Sequence, residues 1–359
     1  PEICWGKGHC TQIKLKDYSK FLREKLKNYG PFSSQTPYKQ IVIVYSPQET
    51  GLSDSIIDDF YSDIVKQSLH LFKVQLPKNP IIWRFKGKYD LGKIEDYIKK
   101  FGNKLSGAIS ILASDEDPLY PMLKRMFGEI GIASQMVTAN AIRKKWLEKN
   151  RYNSTLLNVV SGFLGKLGSH HWLLAENLYG DLYVGVDTIP NKAAIFTFID
   201  NRGRYLGESW RPIGGRLIPA DIITNVLQEW LNKHATAYEI RNIIVHKDGD
   251  LYSEEVNGFL GFKEENTKVG KEKRMTLISI KKDTPYRLYE ARNGHIERCP
   301  SGSYLVIDQN KGLVVSYGKE FLTQGTPQPL FVEILYNEIS NYEIEHAIQE
   351  IYWLSLIHI

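Results

Sequence analysis

Apolar residues in the first half of the chain fall into short continuous runs that alternate with longer amphipathic stretches. The apolar runs predict strands over 40–46, 80–87, 105–114 and 134–139. The stretches between and after them repeat apolar residues at helical spacing and predict helices over 53–72, 90–102, 118–131 and 152–168. Strands that alternate with helices are typical of a parallel sheet covered by helices on both faces, so we predict a Rossmann-like α/β domain.

The pattern changes after residue 174. The run DLYVGVDTI (181–189) and the stretch 193–210, which contains an Asp-Asn-Arg-Gly turn, predict antiparallel strands. Helices are predicted over 219–234 and near 253–263, with a strand over 241–251 between them. Further strands are expected within 275–283, 302–319 and 328–337, before a final helix that begins near 341. An antiparallel meander followed by a strand–helix–strand unit favours a ribonuclease-H-like mixed sheet.

Length and composition indicate two globular domains, which we place at residues 1–175 and 176–359. The 359 residues are 42% hydrophobic and 24% charged, as in soluble proteins. No apolar run approaches the roughly 18 residues of a membrane span, and no signal peptide opens the chain, so no membrane partner is expected. The chain starts with Pro and stops within an apolar helical pattern, so we interpret both ends as cut from something longer.

The three cysteines, Cys4, Cys10 and Cys299, form no metal-binding pattern. His9 lies beside Cys10, but no second cysteine pair completes a site. We interpret the cysteines as free thiols of a reducing compartment and therefore predict a cytoplasmic protein.

Charge is distributed unevenly along the chain. Residues 1–175 carry ten more Lys and Arg than Asp and Glu, whereas residues 176–359 carry five more acidic than basic residues. Such an asymmetry indicates that the first half meets an anionic partner. A solvated basic surface without a partner is the alternative interpretation.

Two aspartates follow predicted strands of the second half. Asp187 ends the run DLYVGVDTI, and Asp248 lies at the end of the strand in RNIIVHKDGDL (241–251). In a ribonuclease-H-like sheet such acids lie side by side at one edge, where carboxylates can hold a pair of Mg²⁺ ions that activate water against a phosphodiester. Asp187 in a strand-ending turn, with a capping role alone, is the simpler alternative.

Taken together, these motifs resemble the MID and PIWI domains of prokaryotic Argonautes. GVDT (185–188) and HKDGDLYSEE (246–255) look like the first and third acidic motifs of that family. QGTPQPLFVEI (324–334) and QEIYWLSLIHI (349–359) look like a later strand and the helix after it. The resemblance covers nearly the whole chain and implies a Rossmann-like MID domain followed by a ribonuclease-H-like PIWI domain.

The resemblance also implies a pocket for the 5′-phosphate of a guide strand. Tyr120, Lys124, Gln135 and Lys166 match, in order, the Tyr, Lys, Gln and Lys of such pockets. Tyr120 and Lys124 lie four residues apart near the start of a predicted helix, where backbone N–H groups favour an anion. The tyrosine ring can stack on the first base. Alternatively, Tyr120 is a packing aromatic and the lysines are solvated.

One acid of the family's catalytic set is missing. Its glutamate belongs in a stretch that corresponds here to PIGGRLIPADI (212–222), where the position falls on Arg216 or, with a slip of one residue, on Gly215. The last ligand of the family, an Asp or His, lies beyond the segment present in this chain. Asp187 and Asp248 are therefore interpreted as a vestigial catalytic and metal site. Mg²⁺ or Mn²⁺ is a candidate ion there and in the 5′-phosphate pocket.

The sequence-based hypothesis is a module that binds a 5′-phosphorylated guide RNA or DNA and pairs it with a complementary RNA or DNA target without cutting it. A guide-directed, metal-dependent endonuclease is the alternative, and a small-molecule sensor is the third interpretation. An associated effector protein is left open as a further partner. His246 is expected at the surface, and the basic run KVGKEKR (268–274) is a candidate phosphate contact.

Overall fold

The computed structural model describes residues 1–15, 17–34, 37–86, 90–234, 239–268, 272–322 and 324–357. The chain forms two compact units. The amino-terminal unit comprises Cys4–Thr11 and Asp17–Trp172, and the carboxyl-terminal unit comprises Pro1–Ile3, Gln12–Lys16 and Leu173–Ile359.

Strands and helices alternate through residue 166, much as the sequence predicts. In chain order the elements are β1 (Glu2–Cys4), β2 (Cys10–Gln12), α1 (Tyr18–Tyr29), β3 (Gln40–Tyr45), α2 (Pro47–Thr50), α3 (Asp54–Phe72), β4 (Ile81–Arg84), α4 (Leu91–Phe101), β5 (Leu105–Leu112), α5 (Leu119–Glu129), β6 (Ala133–Thr138), α6 (Ala139–Leu147) and α7 (Lys149–Lys166).

The amino-terminal unit is built on a parallel four-stranded sheet in the order β4-β3-β5-β6. Its central strands β3 and β5 are buried because helices cover them, which confirms the predicted parallel α/β arrangement. Helix α7 approaches β5 closely, since a Cβ on Gly107 would lie 2.9 Å from the Phe163 ring. The sequence did not predict α6, which begins where the Thr138 hydroxyl accepts a hydrogen bond from Ala141 N–H.

The expectation of three free thiols is wrong for two of them. Cys4 and Cys10 form a disulfide, and only Cys299 is a free, buried thiol within the described ranges. The chain reverses between the two cysteines, because the amide of Trp5 donates a hydrogen bond to the carbonyl of His9 at 2.8 Å. This reversal places side chains six residues apart within bonding distance, which sequence spacing alone did not indicate.

The carboxyl-terminal unit contains the strands and helices that follow residue 172. After residue 172 the elements are β7 (Leu173–Leu174), β8 (Leu182–Ile189), β9 (Ala193–Asp200), β10 (Tyr205–Pro212), α8 (Ala220–His234), β11 (Asn242–Asp248), α9 (Ser253–Lys268), β12 (Arg274–Lys281), β13 (Tyr289–Arg292), β14 (His295–Arg298), β15 (Tyr304–Asp308), β16 (Lys311–Val314), β17 (Leu330–Asn337) and α10 (Ile344–Ile357).

The central feature of this unit is an eight-stranded mixed sheet in the order β10-β9-β8-β11-β12-β17-β16-β15. Strands β8, β11 and β12 are parallel, and the other neighbours are antiparallel. The predicted turn between β9 and β10 is held by Asp200, whose Oδ1 accepts hydrogen bonds from the amides of Arg202 and Arg204. This order confirms the predicted ribonuclease-H-like mixed sheet.

Helices α8 and α9 pack together on the sheet face that carries Val184 and Val245. Their contact is close, because a Cβ on Gly258 would lie 2.8 Å from the carbonyl oxygen of Ala220. The prediction missed the exposed hairpin of β13 and β14, since few of its side chains are buried and no apolar alternation marks it.

A buried carboxyl group attaches α10 to the unit. Glu350 accepts hydrogen bonds from the hydroxyls of Tyr183 and Tyr342, the latter at 2.7 Å, and from the amide of Tyr179 at 2.7 Å. We call these four residues the Glu350 cluster. Burial raises the pKa of Glu350 above its ordinary value, although the two hydroxyls and the amide oppose that shift.

Candidate nucleic-acid interface

Three of the four residues predicted to bind a 5′-phosphate converge at the start of β6. The Lys166 ammonium, at the end of α7, donates a hydrogen bond to Gln135 Oε1 at 2.8 Å. The Lys124 ammonium, on α5, donates to the carbonyl of Ser134, the neighbour of Gln135, at 3.3 Å. A Cβ on Gly162 would lie 3.3 Å from Gln135 Oε1, so the glycine leaves room for this amide beside α7. Two cationic groups and one amide thus come from three different elements.

The fourth residue, Tyr120, lies one helical turn before Lys124 in the first turn of α5 and is 44% exposed. Asp117 lies just before this helix, where its carboxylate accepts hydrogen bonds from the amides of Leu119 and Ala113, both at 2.9 Å. The helix start therefore already has a carboxylate acceptor of its own. An anion in this region would depend on the two lysines more than on the helix N-terminus.

Asp187 and Asp248 occupy neighbouring positions at the carboxyl ends of two parallel strands. Val186 pairs with Lys247 in the β8–β11 register, so the next residues along both strands are the two aspartates. Asp187 is exposed, and its Oδ1 accepts a hydrogen bond from the amide of Thr188 at 2.7 Å. The structure thus brings the predicted pair of carboxylates to one edge of the sheet.

Asp248 already has a cationic partner. The Lys282 ammonium lies 2.5 Å from Asp248 Oδ2, and the buried Lys247 donates a hydrogen bond to the Asp248 carbonyl at 2.9 Å. One position away, Lys281 pairs with Asp250 at 2.6 Å. Asp248 and Asp250 are therefore each paired with a lysine of this protein.

The loop over residues 213–219, in which the sequence analysis expects a third acid, is held at the same edge of the sheet. The carbonyl of Gly215 accepts a hydrogen bond from the amide of Asn191, in the turn after β8, at 2.9 Å. The buried carboxylate of Glu255, near the start of α9, accepts hydrogen bonds from the amides of Ile218 and Tyr252, both at 3.1 Å. The loop thus lies between the turns that follow the two aspartate-bearing strands. It presents Arg216 there as an exposed side chain.

These side chains do not fit a pair of divalent ions. No group of three His, Cys, Asp or Glu side chains that could hold a metal occurs in the part of the chain that the structure describes. One of the two carboxylates is paired with an ammonium, and the position at which the family resemblance places a glutamate carries a glycine or an arginine. Divalent ions of this kind require several oxygen ligands in fixed geometry, and a cationic side chain repels them.

His246 is half-buried, whereas the sequence analysis expects it at the surface. His246 packs edge-on against the Tyr183 ring, with ring centroids 5.6 Å apart, and its buried Nε2 has no hydrogen-bond partner among the described residues. Burial lowers its pKa to about 4. His171 of the amino-terminal unit is also half-buried, and desolvation of its ring likewise lowers its pKa to about 4.

Both histidines predict acid-sensitive stability. Their folded-state pKa values lie below the ordinary value of about 6.5, so the stabilisation from the neutral form is present above about pH 6.5 and is lost as the pH falls towards 4. Each histidine should therefore lower the free energy of unfolding by about 2 kcal/mol at about pH 5, because the unfolded chain binds the proton more tightly. Urea unfolding at about pH 7.5 and pH 5 measures this loss. We expect the difference in unfolding free energy between the two pH values to be smaller in His246→Gln. An unchanged difference would contradict the lowered pKa of His246.

The sequence analysis did not predict two residues of the interface, Lys282 and Glu255. Lys282 lies 34 residues after Asp248, and Glu255 lies 37 residues after Ile218, so neither contact has a local signal. The basic run 268–274 falls partly outside the described residues, which exclude 269–271.

Comparison with known proteins gives matches over the whole fold. The Piwi domain family model matches residues 108–359. The chain is 25% identical to the protein argonaute of Aquifex aeolicus over 238 residues, which are 62% of this chain and 31% of that protein.

No helix within the described ranges is long and apolar enough to cross a membrane.

Solved Argonaute structures resemble the fold of this chain. Clostridium butyricum Argonaute, bound to a guide DNA and a 19-mer target DNA, superposes with a TM-score of 0.73 at 20% identity over 100% of this chain and 48% of that chain. A crystal structure of A. aeolicus Argonaute gives 0.65 at 18% identity over 99% of this chain and 49% of that one. The chain thus spans about half the length of the solved relatives and about a third of the curated one.

Proposed function

This chain belongs to the Piwi domain family, and from that premise we propose that it anchors a guide strand by its 5′-phosphate and pairs the guide with a complementary nucleic-acid target without cutting it. The observation that carries the proposal is the convergence of Lys124, Gln135 and Lys166 at the start of β6. The similar Clostridium butyricum Argonaute is bound to a guide DNA and a target DNA, which supports the same class of partners here.

The proposed anchor acts through charge and hydrogen bonding. A terminal phosphate carries up to two negative charges, and two ammonium groups can donate charge-assisted hydrogen bonds to its oxygens. The Gln135 amide would then donate a further hydrogen bond, while the exposed ring of Tyr120 would stack on the first base. Neither interaction selects a sequence, so target choice would rest on base pairing with the guide.

We assign the guide 5′ end to residues 1–175 and target pairing to residues 176–359. Mg²⁺ or Mn²⁺ could add charge neutralisation in the 5′-phosphate pocket, and we keep it there as a prediction. A cytoplasmic location is kept as part of the same proposal, although the Cys4–Cys10 disulfide removes the argument from free thiols. An associated effector protein is a further expectation from the sequence.

An endonuclease is the second candidate function. It is favoured by the register that aligns Asp187 with Asp248 on adjacent parallel strands. Against it stand the Lys282–Asp248 ion pair and the absence of an acid at the Gly215–Arg216 position. The balance of these observations supports binding without hydrolysis.

The test is incubation of the guide-loaded protein with a labelled complementary target in Mg²⁺ or Mn²⁺. We expect a stable complex of protein, guide and target, with the target intact. A defined cut that disappears in Asp187→Ala would establish the endonuclease instead. Binding that ignores the guide sequence, or stays unchanged as salt rises, would contradict the guide-binding proposal altogether.

A further inference from the structure

The edge of the sheet that carries Asp187 and Asp248 presents cationic side chains where a nuclease of this fold would hold metal ions. We infer that Arg216 and Lys282 form a metal-independent contact for a phosphodiester group of the target strand. This inference rests on the proposed function and names the chemistry by which the carboxyl-terminal unit would hold the target.

Arg216 is available for such a contact. Its side chain is exposed, and none of the hydrogen bonds or ion pairs among the described residues involves it. The loop around it is fixed on both sides, by the Asn191–Gly215 hydrogen bond and by the Glu255 carboxylate that binds Ile218. A fixed backbone lowers the entropic cost of placing a guanidinium beside a ligand. Guanidinium groups also match the geometry of phosphate oxygens in a bidentate contact.

Lys282 is positioned by an ion pair but keeps N–H donors for a ligand. Its ammonium pairs with Asp248 at 2.5 Å, while 71% of its side chain remains exposed. An ammonium has three N–H donors, so one can remain on the carboxylate while the others reach a phosphate oxygen. The aspartate thus acts as a positioning residue that orients the lysine.

The charges at this edge favour an anion over a second cation. Lys281 and Lys282 each neutralise a carboxylate, and Arg216 adds a positive charge that no described carboxylate offsets. A divalent ion would have to displace Lys282 from Asp248 and tolerate the guanidinium. A phosphodiester can instead accept hydrogen bonds from Arg216 and Lys282 while Asp248 and Asp250 stay paired with lysines, and Asp187 is its unfavourable neighbour. This difference explains how a site that has lost an acid can still bind nucleic acid.

The experiment measures target affinity for Arg216→Ala, Lys282→Ala and the double variant in the guide-loaded protein, with EDTA present. We expect each single variant to bind the target about tenfold more weakly, with guide affinity unchanged. The slope of log affinity against log salt should become shallower by about 0.9 for each phosphate interaction that a substitution removes. Lys311→Ala is the matched control, because Lys311 pairs with Glu333 at 3.4 Å in the same unit but on β16.

A target with one neutral methylphosphonate linkage identifies the contact directly. At one internal position of the target, the neutral linkage should weaken binding to the normal protein. It should not weaken binding to the double variant, because that variant already lacks the Arg216 and Lys282 side chains. Unchanged target affinity in the double variant, with its thermal unfolding intact, would overturn the inference. So would target affinity that EDTA abolishes in the normal protein while the guide stays bound. If the normal protein does not bind a guide, the proposed function itself is refuted.

Discussion

Replacing Lys166 or Lys124 by alanine is expected to weaken the binding of a 5′-phosphorylated guide by about ten- to a hundredfold. A charge-assisted hydrogen bond to phosphate contributes roughly 1.5–3 kcal/mol, and each lysine contributes at least one in the proposed pocket. Lys166→Ala also removes the donor to Gln135 Oε1, while the hydrogen bond from Gln135 Nε2 to the Met136 carbonyl at 3.0 Å remains. Fluorescence anisotropy with labelled guides measures the change.

Two controls make this result specific. Lys149 lies at the opposite end of the same helix as Lys166 and is exposed, so Lys149→Ala should leave guide affinity nearly unchanged. A guide with a 5′-hydroxyl should bind the normal protein and the variants about equally, because the group that the lysines recognise is absent. If both guides lost affinity equally, the lysines would be general backbone contacts and the pocket would lie elsewhere.

Glu350→Ala is expected to lower the free energy of unfolding by about 3–5 kcal/mol. The substitution leaves the hydroxyls of Tyr183 and Tyr342 and the amide of Tyr179 without their acceptor in a buried setting. Each unsatisfied buried group costs about 1–3 kcal/mol, and truncation adds a cavity under α10. Urea unfolding followed by tryptophan fluorescence measures the loss for the carboxyl-terminal unit.

Glu350→Gln is the matched control, because an amide keeps the size and one acceptor oxygen. Burial raises the folded-state pKa of Glu350, so the stabilisation from its neutral form is present below the ordinary pKa of about 4.5 and is lost as the pH rises through the raised value. The neutral glutamine avoids this loss, and we expect its stability at neutral pH to remain within about 1 kcal/mol of the normal protein. Equal damage from Ala and Gln would show that the carboxylate charge itself is required.

The periodicity of apolar residues determined most of the strands and helices. Runs such as 40–46 and 105–114 are largely buried, and that burial requires the continuous apolar residues that are visible in the sequence. The hairpin of β13 and β14 has no such requirement, because its side chains are largely exposed, and it was missed for that reason. The order of strands within each sheet came from the structure, because periodicity along the chain does not indicate which strands are neighbours.

The sequence by itself also supplied the residues of the candidate site, since their spacing resembled a known family. Tertiary structure alone decided what surrounds them: Lys282 at Asp248, Glu255 at Ile218, the bond between Cys4 and Cys10, and the buried environment of His246. These features depend on how distant or reversed segments meet in space. A residue's type fixes its charge and its hydrogen-bonding groups, but only the packed fold fixes its partners and its access to water, which together determine its pKa and what it can bind.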